Sequence, residues 1–431
     1  MNELNHFGNC SLSTVDFFGE RNRQNEIIDY DEEYINPINS LDGTRVIEFV
    51  VKGNADFIDL HNCYLQLKIK IKNSNNTNLA AGKKVSFINY PIATLFEHVN
   101  IHLNNDPATN TSNYGYKAYL ETLLTYGDKA KKSWLQGGGF FKDTEGKMDV
   151  LGDGNSGFKA RQDLVAESKL LELVGKFHTG LHNQPRLLVN HVDMRIELTR
   201  YKDDFCLLAA DTESVKIEII DAVLKVRRNT LASHKVNSIQ SLLQRNDIRY
   251  FIPRSVVKTQ TCPSGLLNVN VRNLITDRNI PNTIIVGMVS NAAFNGNKKL
   301  NPFNFQHFNI TSADITIDSK SVFGKPLSAD VGSDQFLDFY WSLNRTLGTN
   351  FRDDGFYISR GEYLEGNFLF GHNLTSTMCD DQYDDPLMTG NMEINMKYSE
   401  ALAEVITVVV YMEFSNTISI NSSRRAVKDF P

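Results

Sequence analysis

The chain has 431 residues, of which 41% are hydrophobic, 22% charged and 10% aromatic, an ordinary globular composition that excludes disorder, collagen and a coiled coil. A net charge of -6 argues against a protein that coats nucleic acid, because phosphate binding needs clustered Lys and Arg. No stretch approaches the ~18 to 20 unbroken apolar residues of a membrane span.

Residues 1–44 read as a polar arm, broken by Gly8, Gly19, Pro37 and Gly43, with an acidic run at Asp29, Asp31, Glu32 and Glu33. No basic segment followed by an apolar one opens the chain, so no secretory signal is expected. Val15, Phe17 and Phe18 form a small apolar cluster within this arm. Strand texture begins at Val46–Val51. Leu65, Leu67, Ile69 and Ile71 then alternate with Gln66, Lys68 and Lys70, the period of a half-buried strand. Val99–Leu103 alternates again and ends in a turn cluster, Asn104 to Pro107. Tyr116, Tyr119, Leu120, Leu123 and Leu124 have helical spacing, with Gly127 placed to stop the helix. The glycine-rich stretch 137–157 reads as a long loop. Strands resume at 187–189, 194–198 and 215–226.

The second half repeats this plan. Strands are expected at 269–271, 283–289 and 315–317, then a helical stripe at Phe336, Phe339, Tyr340, Leu343 and Leu347, then strands at 392–396 and 405–411. Ile101–Leu103 answers Ile315–Ile317, and Met194–Leu198 answers Met392–Met396, each about 200 residues apart. That spacing indicates two copies of one domain rather than a solenoid. Many short strands with few helices predict an all-β protein: two tandem jelly-roll β-sandwiches, a double jelly roll, with one short helix in a long loop of each. The expected division is an N-terminal arm (1–44), a first jelly roll (45–232), a second (233–418) and a C-terminal tail (419–431).

Several segments, in order and spacing, resemble one family. They are Ile47–Val51 with Phe57–Leu60, Tyr116–Gly127, Lys142–Asp149, Gly175–His178, Gln184–Asn190 and Arg200–Cys206, with Tyr411–Phe414 in the second half. The chain resembles the double jelly-roll major capsid protein of Polinton (Maverick) elements and adintovirus-like viruses. The resemblance implies a structural protein that trimerises into pseudo-hexagonal capsomers and builds an icosahedral shell. Its expected partners are itself, as a homotrimer and between capsomers, and a penton or minor capsid protein. It implies a place in the virion capsid after synthesis in the host cytoplasm or nucleus, with no sequence-specific nucleic-acid binding. The arm then clamps a neighbouring capsomer or an inner layer. The alternative is a tandem β-sandwich binding module, lectin-like or an attachment protein.

No catalytic set, cofactor or metal is expected. The five cysteines, Cys10, Cys63, Cys206, Cys262 and Cys379, have no paired spacing and read as buried or incidental thiols. His178 and His182 lie four apart, but Gly180 and Pro185 argue against a helix that would align them on a metal. Asp149–Gly157 lacks the ligand pattern of a calcium loop and reads as a surface loop. Gly137–Gly139 is not followed by the Lys and Ser/Thr of a phosphate loop. The acidic cluster Asp380, Asp381, Asp384 and Asp385 is the only candidate for a cation held between subunits, a solvated loop being the alternative reading. Lys129–Lys132 suits a helix C-terminus, and Arg424, Arg425 and Lys428 read as a solvated tail.

Overall fold

The computed structural model describes residues 23–210, 214–275, 278–351, 355–376, 386 and 388–430. The first half supplies β1 (Ile27–Ile35), β2 (Val46–Val51), β3 (Phe57–Asn73), β4 (Val85–Phe87), β5 (Phe96–Leu103), β6 (Asp106–Ser112), β7 (Leu171–Lys176), β8 (Met194–Arg200), β9 (Leu207–Ala209) and β10 (Val215–Leu231). They form two four-stranded sheets, β1-β10-β3-β7 and β2-β8-β5-β6, with β4 and β9 as a separate pair. The second half supplies β11 (Ile248–Cys262), β12 (Asn268–Val271), β13 (Thr283–Ser290), β14 (Ile310–Ile317), β15 (Lys320–Ser321), β16 (Leu327–Ser328), β17 (Leu369–Asn373), β18 (Met392–Tyr398), β19 (Ile406–Ile420) and β20 (Ala426–Lys428). Its sheets are β11-β19-β13-β17 and β12-β18-β14-β15, with β16 on β14 and β20 on β19.

Leaving aside the β4–β9 pair, β16 and β20, the two halves have the same strand order. One sheet holds the first, last, third and sixth strands; the other holds the second, seventh, fourth and fifth. This is the jelly-roll order, repeated in tandem. The matched pairs Ile101–Leu103 with Ile315–Ile317, and Met194–Leu198 with Met392–Met396, occupy equivalent strands: β5 with β14 and β8 with β18. Helix α1 (Tyr114–Thr125) and helix α4 (Leu337–Thr346) occupy the equivalent long connection of each roll. Helices α2 (Ser156–Val165) and α3 (Ser233–Leu243) lie between them in the chain, α3 joining the rolls.

The sheets form because alternate residues are apolar. In β3, Leu65, Leu67, Ile69 and Ile71 are buried while Gln66, Lys68 and Lys70 face outward. Each fully buried aliphatic side chain contributes about 1.5–3 kcal/mol relative to exposure. The helical stripes are core too: Tyr116, Tyr119, Leu120 and Leu123 on α1, and Phe339 and Leu343 on α4, are buried.

Strand β1 is a departure from the arm reading. It is exposed along most of its length, so it carries no alternating apolar signal. It is held by the ladder to β10 and by its own acidic run: Glu32 pairs with Lys225 at 2.6 Å and Glu33 with Arg228 at 2.6 Å. Arg227 lies 4.1 Å from the Tyr30 ring centre. Strand β11 contains Pro253, which is tolerated because β11 is the edge of its sheet.

Candidate functional site

The two rolls meet through stacked aromatic rings, Tyr119 on Phe303 at 4.0 Å and Tyr116 on Phe294 at 5.5 Å, and through polar groups carried mainly by the long connections of the first. Glu121, on α1, is the hub of one cluster. Its Oε1 accepts from Ser255 Oγ of β11 at 3.0 Å and from the Tyr411 hydroxyl of β19 at 3.2 Å. Its Oε2 lies 3.1 Å from Nδ1 of His178 in the first roll. A carboxylate only accepts, so that histidine nitrogen carries the proton, leaving Nε2 to face the Tyr90 hydroxyl at 3.1 Å. Lys117, one helical turn before Glu121, donates to the His178 carbonyl at 2.6 Å and lies 3.4 Å from Glu121. Burial alone would raise the Glu121 carboxyl, but Lys117 and the hydrogen bonds from His178 and Ser255 overcome it and bring it down to about 2.

This is not a nucleophilic set. Ser255 bonds to the carboxylate rather than to a histidine, and Ser255, His178 and Tyr411 are all buried. His182 is buried as well, its Nδ1 2.7 Å from Thr179 Oγ1, and burial lowers its basicity to about 3. It sits in a single helical turn, Gly180–Asn183. A Cβ at Gly180 would come within 2.4 Å of the Pro253 carbonyl oxygen, so this turn packs tightly on β11. His178 is engaged by Glu121 and Tyr90, and His182 by Thr179.

A second cluster joins the rolls at the loop read as plain surface. Arg161 of α2 bonds to Asp143 at 2.8 Å, and Asp143 accepts from Asn301 of the second roll at 3.1 Å. Asp149 accepts from the Asn301 backbone N–H at 2.5 Å and from Asn304 Nδ2 at 2.6 Å. Burial raises its carboxyl. Lys131, in the basic group after α1, is buried and donates to the Leu123 carbonyl at 2.7 Å and the Phe356 carbonyl at 2.6 Å. Burial brings its amine down to about 7.

The C-terminal segment is pinned rather than solvated. Arg424 donates to Asn190 at 2.7 Å, Asn104 donates to the Arg424 carbonyl at 2.9 Å, and Arg425 lies 3.3 Å from Asp106. β20 thereby ties the last strand of the second roll to loops of the first.

The thiols of Cys63, Cys206 and Cys262 are free and buried, Cys63 being pushed up to about 12 by desolvation. Cys10, Cys379 and the aspartates Asp380, Asp381, Asp384 and Asp385 lie outside the described residues, as does the Val15–Phe18 cluster. Among the described residues no three His, Cys, Asp or Glu side chains converge as metal ligands. No described helix is long and apolar enough to cross a membrane.

The outer surface of the long connections is apolar in places. Both tryptophans of the chain, Trp134 and Trp341, are 54% exposed, Leu337 lies one turn before Trp341, and Phe351 is 98% exposed. Isolated exposed apolar residues are ordinary, but half-exposed tryptophans are enriched at contact surfaces. The signal for Glu121 and Lys117 was present in the sequence as a Lys–Glu pair four apart, inside a stripe otherwise apolar and aromatic.

No known protein-family profile matches the chain. The uncharacterized protein F54H12.2 of Caenorhabditis elegans is 25% identical over 403 residues, spanning 89% of this chain and 93% of its own. A chain in the cryo-EM structure of the Sputnik virophage is similar with a TM-score of 0.65 at 13% identity, over 97% of this chain and 92% of that one. The mavirus major capsid protein is similar with a TM-score of 0.54 at 13% identity, over 96% of this chain and 93% of that one. At these identities the likeness is one of fold, and it extends through both jelly rolls.

Proposed function

We propose that this chain is a major capsid protein: three copies form a pseudo-hexagonal capsomer, and capsomers build an icosahedral shell. The observation that carries this reading is the tandem repeat of one complete jelly-roll order within a single chain, matched over nearly the full length of a virophage chain and of the mavirus major capsid protein. Two similar rolls per chain give six per trimer, an outline that tiles a near-hexagonal lattice without six identical chains. The aromatic and polar junction between the rolls supports a fixed unit rather than two tethered modules. The division of the chain near residue 232, one roll before it and one after, belongs to the same reading.

The lineage we propose is that of Polinton (Maverick) elements and adintovirus-like viruses, in keeping with the resembling segments of the first half and with a nematode relative of similar span. In this role the chain is structural rather than catalytic, resides in the virion capsid, is made in the host cytoplasm or nucleus, and works with a penton or minor capsid protein. Expression of the full chain, followed by light scattering and negative-stain electron microscopy, tests the proposal. Trimers that assemble into hexagonal arrays or closed particles are the expected result. A protein that stays monomeric at every concentration and salt condition refutes it.

A further inference from the structure

Strand β1 ends at Ile35, opposite Leu224, so the Val215–Val223 part of β10 has no strand on that side among the described residues. The chain that follows β1, Ser40–Arg45, lines an open groove of ≈ 940 Å³ together with the start of β10, Arg200–Asp203, and Lys72 and Asn76 of β3 and its loop. The groove lies at the same end of the first roll as α1, because the β1–β2, β3–β5, β6–β7 and β8–β10 connections all turn there.

Its lining is basic in a chain whose net charge is -6: Arg45, Lys72, Arg200, Lys202 and Lys216 face Asp42, Asp203 and Glu218. Two of these carboxylates are already engaged by these cations, and Asp42 has no ion-pair partner among the described residues. Glu218 pairs with Lys72 at 2.8 Å and Asp203 with Arg200 at 3.1 Å, while Arg45 pairs with Glu97. Lys202 and Lys216 have no ion-pair partner among the described residues. Lys216 also stands directly opposite Lys72 in the β10–β3 ladder, and with Lys72 already paired to Glu218 the Lys216 charge is the one left unmatched. The second oxygen of Asp203 accepts from the Ile217 N–H at 3.1 Å. That cap blocks one of the edge groups an added strand would use, and a bulge between Ile219 and Asp221 distorts the rest, so the groove is not built for an extended peptide.

We infer that this groove binds a sulfated oligosaccharide. Lysine ammoniums are compact charges on flexible stems, suited to sulfate groups whose spacing varies along a chain. The lining also includes the Asn76 amide and the Ser40 and Thr44 hydroxyls, each in a single 3.3 Å local hydrogen bond, with capacity left for sugar hydroxyls. A single-stranded nucleic acid fits less well. It needs aromatic faces for its bases, and the Tyr201 ring is already stacked on Phe205 at 4.0 Å.

Isothermal titration of the full-length protein at low salt tests this. The titrants are a heparin-derived hexasaccharide, the same hexasaccharide after desulfation, and a short single-stranded oligodeoxynucleotide. The sulfated sugar is expected to bind, with affinity falling as salt rises, and Lys202→Gln with Lys216→Gln to weaken it about tenfold or more at an unchanged unfolding midpoint. Failure of the sulfated sugar to bind, equal binding of the desulfated form, wild-type affinity in the double variant, or tighter binding of the oligodeoxynucleotide each overturns the assignment.

Discussion

Glu121→Gln isolates the junction between the rolls. The substitution keeps the shape of the side chain and most of its hydrogen bonds, but it strands Lys117, whose side chain is 2% exposed, without a counter-charge. Removing one partner of a buried pair costs about 3–5 kcal/mol. The acid side of the stability curve gives an independent value. The Glu121 carboxyl sits at about 2 in the folded chain against an ordinary 4.5, a stabilisation of about 3 kcal/mol by linkage. Because the folded value is the lower one, that stabilisation is fully present above pH ~4.5 and is lost as pH falls toward ~2. Urea unfolding of wild type and variant, repeated from neutral pH down to the acid limb, checks both figures. The variant should lose about 3–5 kcal/mol at neutral pH and show a shallower decline in acid, and Lys117→Met added to Glu121→Gln should recover much of the loss. A variant within 1 kcal/mol of wild type, with an unchanged acid limb, would show that the cluster does not couple the rolls.

The remaining expectations concern other parts of the molecule. Lys131 is held near 7 in the fold against an ordinary 10.5, so its burial opposes folding below about pH 7 and the cost lifts as pH rises from there toward 10.5; Lys131→Met should flatten this rise in unfolding midpoints. Gly180→Ala forces a Cβ against the Pro253 carbonyl and should cost about 1–3 kcal/mol, read by thermal unfolding, whereas Gly43→Ala, with open space around it, should cost less despite its positive φ. Deleting residues 421–431 removes the Arg424–Asn190 and Arg425–Asp106 links, and limited proteolysis should then cleave between the rolls faster than in the full chain. Trp341→Ser should leave the isolated chain within about 0.5 kcal/mol of wild type, as for an exposed site, while reducing particle yield in electron microscopy.

The fold was legible where one face of an element is buried. The alternation in β3, the equivalent strands β5 and β14, and the helical stripes of α1 and α4 all reflect a core side and a solvent side, and that contrast is written in residue order. It failed where burial is absent or two-sided. β1 is an edge strand exposed on most residues, and two members of the acidic run read as part of a polar arm, Glu32 and Glu33, are the partners of Lys225 and Arg228. β11 was masked by Pro253, which is harmless only on a sheet edge, a position no local pattern reveals. Helix α3 lies mostly exposed between the rolls and carries little apolar periodicity. The polar junction depended on distant pairings such as Glu121 with Ser255 and Asp149 with Asn304, which spacing along the chain does not encode. The aspartates Asp380 to Asp385 remain a sequence expectation.

The seam between the rolls has a mechanical consequence. The stacked rings and the hydrogen bonds of Glu121, Asp143 and Asp149 are directional, and together they favour one relative orientation of the two sandwiches. The two sandwiches are thereby held to one another as a unit. Any curved surface tiled by this chain must take its bend from the joints between copies, and none from within the tile.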